Sequence, residues 1–151
     1  MPETREPAGP QIVFGFDFGR RRIGVASGDT LTRSARALDT VIGTEAGPDW
    51  NHIERLLRQW MPARNVVGLP YNADGTEGRM AEGARSFALE LQRRSGVPVE
   101  FVDERYSSLE SHARLKDARA TGARKRRVTK SDIDASAACV ILERWFALAT
   151  R

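Results

Sequence analysis

The sequence predicts an α/β domain in which helices pack on the faces of a mixed β-sheet. Two observations carry that prediction. Three strand-like segments follow one another in the first third of the chain, and beyond them short β-branched runs alternate with stretches of helical periodicity. The length of 151 residues suits one domain with its own core, and 40% hydrophobic against 29% charged residues is ordinary for a globular chain.

Residues 1–10 carry no apolar run and are expected to form a disordered tail, leaving 11–151 as the single domain. Ile12 to Asp17 and Ile23 to Ser27 are predicted strands joined by the basic turn Gly19-Arg20-Arg21-Arg22, and Ala37 to Ile42 is a third. Pro48-Asp49-Trp50 opens a helix with Ile53, Leu56, Leu57 and Trp60 at i, i+3, i+4 and i+7, closed by Met61-Pro62. Asn65 to Leu69 is a short strand running into the loop Pro70 to Gly78. A second helix follows, with Met80, Ala84, Phe87, Ala88 and Leu91 on one face and a stop at Gly96. Val97 to Val102 is a fifth strand, a short helix carries Leu109 and Leu115, and Ser131 to Leu148 is the last helix. Three strands followed by βα units imply a mixed rather than purely parallel sheet.

The net charge of +4 is unevenly spread. Arg114, Lys116, Arg119, Arg124, Lys125, Arg126, Arg127 and Lys130 stand against the one acid Asp117 in the same stretch. A charge run is often only a solvated loop; this one ends beside a candidate catalytic acid, where a bound polyanion is useful, so nucleic acid is the expected partner. No apolar run approaches the roughly 18 residues a membrane helix needs. Cys139 lies in an apolar helical pattern, which fits a reducing, cytoplasmic setting and an inert thiol.

Two predicted strands run out into acids, Asp17 and the pair Asp103-Glu104, and Asp134 heads the last helix. An unpaired buried charge costs several kcal/mol, roughly, so acids ending apolar strands call for a partner. Period-two alternation places Asp17 on the face of Gly15, opposite Phe14 and Phe16. Each acid also has a purely structural role open to it. Asp17 could accept from the Gly19-Arg20 turn, Glu104 or Asp103 could pair with Arg105, and Asp134 could close a capping box with Ser131. Only one of Asp103 and Glu104 can face inward; Glu104 is favoured, with Asp103 as support or alternate. Asp134 begins the stripe Asp134, Ala138, Ile141 and Trp145, which is otherwise apolar. Three carboxylates suit Mg²⁺ or Mn²⁺ and phosphodiester chemistry, in which two ions about 4 Å apart serve the attacking water and the leaving oxygen. His52 and His112 are isolated, expected at the surface, and offer neither a zinc cluster nor a Ser-His-Asp arrangement.

Four segments together resemble the YqgF/RuvX family: Phe16 to Ala26, Val67 to Glu77, Asp103 to Ser108 and Asp134 to Ala138. The resemblance covers roughly Ile12 to Leu148. It implies an RNase H-like fold with a five-stranded mixed sheet flanked by helices, and a catalytic triad on Asp17, Glu104 and Asp134. It further implies a cytoplasmic bacterial nuclease maturing the 5′ end of 16S ribosomal RNA, or a resolvase of branched DNA junctions. Arg20, Arg21 and Arg22 and the run Arg124, Lys125, Arg126, Arg127 and Lys130 would grip phosphates. The signature loop offers Asn72, Gly75 and Thr76 as a phosphate cradle, with a merely structural turn as the alternative. The triple arginine is more charged than the family's usual turn, and Tyr106-Ser107-Ser108 also departs from its pattern. Two other classes remain open. Asp17-x-Gly19 resembles the first phosphate motif of sugar kinases and actin-like ATPases, though those need a second domain; a non-catalytic RNA-binding assembly factor would tolerate loss of Asp17.

Overall fold

The computed structural model describes residues 9–72, 74–103 and 130–149, with 130–134 and 149 described by their backbone alone. Its elements are β1 (Ile12–Asp17), β2 (Arg22–Asp29), β3 (Ser34–Thr44), β4 (Gly47–Pro48), α1 (Trp50–Trp60), β5 (Arg64–Leu69), α2 (Arg79–Ser95), β6 (Val99–Asp103) and α3 (Lys130–Ala149). The sheet order is β4-β3-β2-β1-β5-β6. The first four strands form an antiparallel meander, and β1, β5 and β6 run parallel. The expected five strands are therefore six. β4 is a two-residue edge strand on Gly43 and Thr44, where Pro48 can sit because the outer edge needs no donor.

β2 and β3 also outrun their expected limits. Asp29 accepts the Leu31 amide at 2.7 Å and Arg33 takes a positive φ of 57°, a tight turn that keeps even the polar ends Asp29 and Ser34 paired. α1 starts on Asp49, whose side chain accepts the His52 amide at 3.2 Å, and ends on Met61 in the left-handed region with its amide on the Leu57 carbonyl. α2 ends at Gly96 with φ 73°. On α2 the expected apolar face is buried at Ala84, Phe87, Ala88 and Leu91; at its first position Met80 is exposed and Ala81 is buried. The predicted helix around Leu109 and Leu115 and the tail 1–8 lie outside the described residues.

Two cores sandwich the sheet. Phe14, Phe16, Ile23, Val25, Val41, Val67 and Leu69 meet α1 and α2 on one face, with Phe16 and Phe87 rings packed edge to face at 5.5 Å. Val13, Ala26, Val66 and Val102 meet Ala138, Cys139, Ile141 and Leu142 of α3 on the other. Cys139 is buried there, as its helical pattern predicts.

Glu100 ties β6 to α3. It accepts from Trp145 Nε1 at 2.9 Å and pairs with Arg64 of β5. Burial pushes its carboxyl up, but the hydrogen bonds from Trp145 and Arg64 more than offset that, so its pKa lies below the ordinary 4.5. A depressed carboxylate stabilises the fold fully above its unfolded value and loses that contribution as pH falls through the folded one. Melting temperature is accordingly expected to drop on acidification below pH 4.5, and Glu100→Gln is expected to be less stable at neutral pH and to show a shallower acid drop. Parallel melting curves of the two proteins from pH 7 downward check this; identical slopes would remove Glu100 from the acid response.

Candidate active site at the carboxyl end of the parallel strands

Asp17 is the last residue of β1, the central strand, and is half-buried. It pairs with Gly24 of β2. The register Phe16↔Val67 then sets Gly68 of β5 next to Asp17 on the other side. Val13 and Val66 face α3, so alternation puts Gly15, Asp17 and Gly68 on that same face, and pairing adds Gly24. The acid thus stands between two residues without side chains. Neither of these two strand neighbours contributes a side chain to the surroundings of its carboxylate.

α3 crosses this face with its start directed toward the Asp17 end. A Cβ on Gly28, which pairs with Val13, would lie 3.0 Å from the Phe146 ring and 3.2 Å from Leu142 Cδ1. A Cβ on Gly15 would lie 2.5 Å from Leu142 Cγ and 3.1 Å from the Ala138 carbonyl oxygen. Two residues forward on β1 thus correspond to one turn back on α3, which matches about 6.7 Å of strand with about 6 Å of helix. One more step forward on β1 is Asp17; one more turn back on α3 is Asp134, whose helical backbone position is described. The helix can come this close because β1 and β2 present glycines to it.

β6 ends at the same edge, with Leu69 paired to Asp103. Val102 belongs to the α3-facing core and Glu100 meets Trp145, whereas Phe101 contacts Arg85 of α2. By parity Asp103 belongs with Phe101 on the α2 face; its carbonyl oxygen accepts from Arg144 Nη1 at 2.8 Å. Glu104 lies outside the described residues, as do His112, Arg124, Lys125, Arg126 and Arg127, and Lys130 is described only as the first residue of α3. Among the described residues no group of three His, Cys, Asp or Glu side chains converges; of the predicted triad, the side chain of Asp17 is described.

Arg20 and Arg21 are exposed and Arg22 is half-buried at the turn directly after Asp17. The described residues of the signature loop bond to one another. Gly75 donates its amide to the Asn72 carbonyl at 2.9 Å, the Thr76 amide and hydroxyl both go to Asp74 at 3.0 and 2.6 Å, and Asn72 Nδ2 reaches Thr76 Oγ1 at 3.0 Å. These bonds hold the Asp74 carboxyl below its usual range, the Thr76 hydroxyl contributing most. Both donors predicted for a phosphate are used within the turn, which is the geometry of the structural alternative. His52 is not an isolated surface residue: it is half-buried, with Nε2 2.8 Å from Asp39 Oδ2 across α1 and β3. The glycine neighbours of Asp17 are the part of the site that motif reading passed over; a glycine at the same parity on each flanking strand was the available signal.

Solved structures define the class. The chain is similar to T. thermophilus RuvC in complex with a Holliday junction substrate, with a TM-score of 0.56 at 19% identity over 93% of this chain and 96% of that one. It is also similar to the Fowlpox virus resolvase solved with substrate Holliday junction DNA, at TM-score 0.54 and 12% identity over 93% and 99%. These likenesses establish an RNase H-like, RuvC-type fold. The sequence profile of RuvX, described as Holliday junction resolvase, matches residues 11–148. Proteins of Xylella fastidiosa strain M23 (44% identical; 97% of this chain, 94% of the relative) and Serratia proteamaculans strain 568 (46%; 90% and 94%) both carry the name "Putative pre-16S rRNA nuclease". The chain belongs to the RuvX family, a family of nucleases. Among the described residues no helix is long and apolar enough to cross a membrane.

Proposed function

We propose that this chain is a metal-dependent phosphodiesterase that trims the 5′ end of precursor 16S ribosomal RNA in the cytoplasm, with Asp17, Glu104 and Asp134 as its catalytic carboxylates. The observation that carries the reading is the convergence of the β1 end and the start of α3 on one edge of the sheet, with Asp17 flanked by Gly24 and Gly68. Carboxylate oxygen donors flanked by glycines fit Mg²⁺ or Mn²⁺, which keep much of their water and take few protein ligands. Asp17, on the central strand, would be shared by two ions, with Glu104 and Asp134 holding one each. When bound, such ions supply a hydroxide-like nucleophile at neutral pH and stabilise the leaving oxygen. Glu104 is preferred to Asp103 because parity with Phe101 turns Asp103 toward α2, away from the α3 face that holds Asp17. The chain's own cations hold the substrate: Arg20, Arg21, Arg22, Arg124, Lys125, Arg126, Arg127 and Lys130 neutralise phosphates without reading bases.

The relatives at 44 to 46% identity are named for RNA, which favours RNA over DNA here. The family description favours junction DNA as the second reading. Incubation of the purified chain with a precursor 16S fragment and a four-way DNA junction, in Mg²⁺, Mn²⁺ or EDTA, separates them. RNA is expected to be cut with metal and left intact in EDTA. Cutting of the junction alone would replace this reading with the resolvase. RNA bound but never cut would leave a non-catalytic assembly factor.

A further inference from the structure

A cavity of about 760 Å³ opens one residue beyond Asp17, between the Phe18-to-Arg22 turn and the β3–β4 hairpin. We propose that it seats one unpaired nucleotide of the RNA substrate, next to the scissile phosphate. The proposal rests on the nucleic-acid reading above and narrows it to RNA that is single-stranded at this position.

The lining has the two chemistries a nucleotide presents. Phe18, Ile42 and Pro48 form an apolar wall, and Ile42 is 54% exposed although it lies in a strand. Arg20, Arg21 and Arg22 form the rim against a single acid, Glu45. Elsewhere among the described residues Arg58, Arg64, Arg85, Arg93 and Arg94 each meet a carboxylate, while no ion pair with a described residue engages Arg20 or Arg21. Exposed guanidinium groups, here those of Arg20 and Arg21, beside an exposed aliphatic surface suit a phosphate joined to a base. The volume lies within the roughly 300–1,000 Å³ that small-molecule sites occupy.

The walls are fixed by backbone, so the cavity is formed in advance. The Gly43 amide donates to the Arg21 carbonyl at 2.8 Å, and a Cβ on Gly43 would lie 2.2 Å from the Arg20 carbonyl oxygen. A Cβ on Gly19 would lie 2.6 Å from the Arg22 carbonyl oxygen. Gly43 therefore locks the hairpin onto the turn, Gly19 closes the turn on itself, and the Arg20 and Arg21 side chains stay exposed. A base within a duplex is stacked on both faces and cannot enter such a cavity; an unpaired base can.

The test is affinity in EDTA, where no cutting occurs, for a labelled single-stranded RNA and for the same sequence in a blunt duplex. Ile42→Gln, which adds no charge, is expected to weaken single-strand binding about tenfold and to leave duplex binding within about twofold. Ile42→Leu is expected to keep both affinities, and both variants are checked for unchanged melting. Equal loss on both forms, no loss on the single strand, or loss in Ile42→Leu as large as in Ile42→Gln would overturn the proposal. Because no metal is present, these outcomes are independent of whether the chain cuts RNA.

Discussion

Asp17→Asn is expected to lower the metal-dependent cleavage rate by about a thousandfold or more, the scale on which a lost charge-stabilising group removes transition-state stabilisation. The substitution keeps the shape of the side chain and removes the charge that the ions need. RNA affinity in EDTA is expected to stay the same or to tighten slightly, because a negative charge near the phosphates is gone. Melting temperature is expected to stay within a few degrees, since Asp17 lies half-buried at a strand end rather than in either core. These three readouts discriminate between the roles open to the residue. If Asp17 served only the Gly19-Arg20 turn, melting would fall and cleavage would largely persist. If the chain were an assembly factor, nothing but stability would change. An Asn variant that cuts RNA at the wild-type rate would remove Asp17 from the catalytic group.

What was legible in the sequence depends on whether side chains or backbone carry the signal. β1 was readable to the residue because Phe14, Gly15, Phe16 and Asp17 alternate between two buried faces. α1 was bounded by Asp49 and Met61-Pro62, which act locally through a cap and a left-handed residue. β4 was missed because Gly47 and Pro48 pair through backbone and present no side-chain pattern. His52 was misjudged because its partner Asp39 lies 13 residues away, and pattern does not report such pairs. Between Asp103 and Glu104 the sequence lacked one long-range fact, that Val102 packs against α3, which by parity puts Asp103 on the α2 face; Glu104 lies outside the described residues. The Ala-rich start of the last helix announced a close approach to the sheet; the sequence did not show that Gly15 and Gly28 are the surfaces approached.

That approach also gives a second way to test the site, through packing rather than charge. Gly15→Ala is expected to destabilise the fold by about 2 kcal/mol, because carbon atoms rest about 3.5–4.0 Å apart and the new Cβ would start 2.5 Å from Leu142 Cγ. At this chain length that corresponds to a melting drop of about 4–8 °C. The helix cannot tilt away cheaply, since Gly28 holds Phe146 and Leu142 one turn further along. The strain is relieved by moving α3 outward, which draws residue 134 away from Asp17. The metal concentration for half-maximal cleavage is therefore expected to rise about tenfold or more, as it does when a ligand is misplaced rather than lost. Leu142→Ala alone should cost about 2–5 kcal/mol, since Leu142 is fully buried. Combined with Gly15→Ala it should cost at least about 1 kcal/mol less than the two changes added, because the new methyl fills part of the space. Metal dependence should return toward wild type in the double variant, although that protein is less stable than Gly15→Ala. Stability and metal response moving in opposite directions would show that the helix-to-strand distance, not general loosening, sets the site. If Gly15→Ala lowers melting but leaves the metal requirement unchanged, α3 does not deliver a ligand and Asp134 is a helix cap.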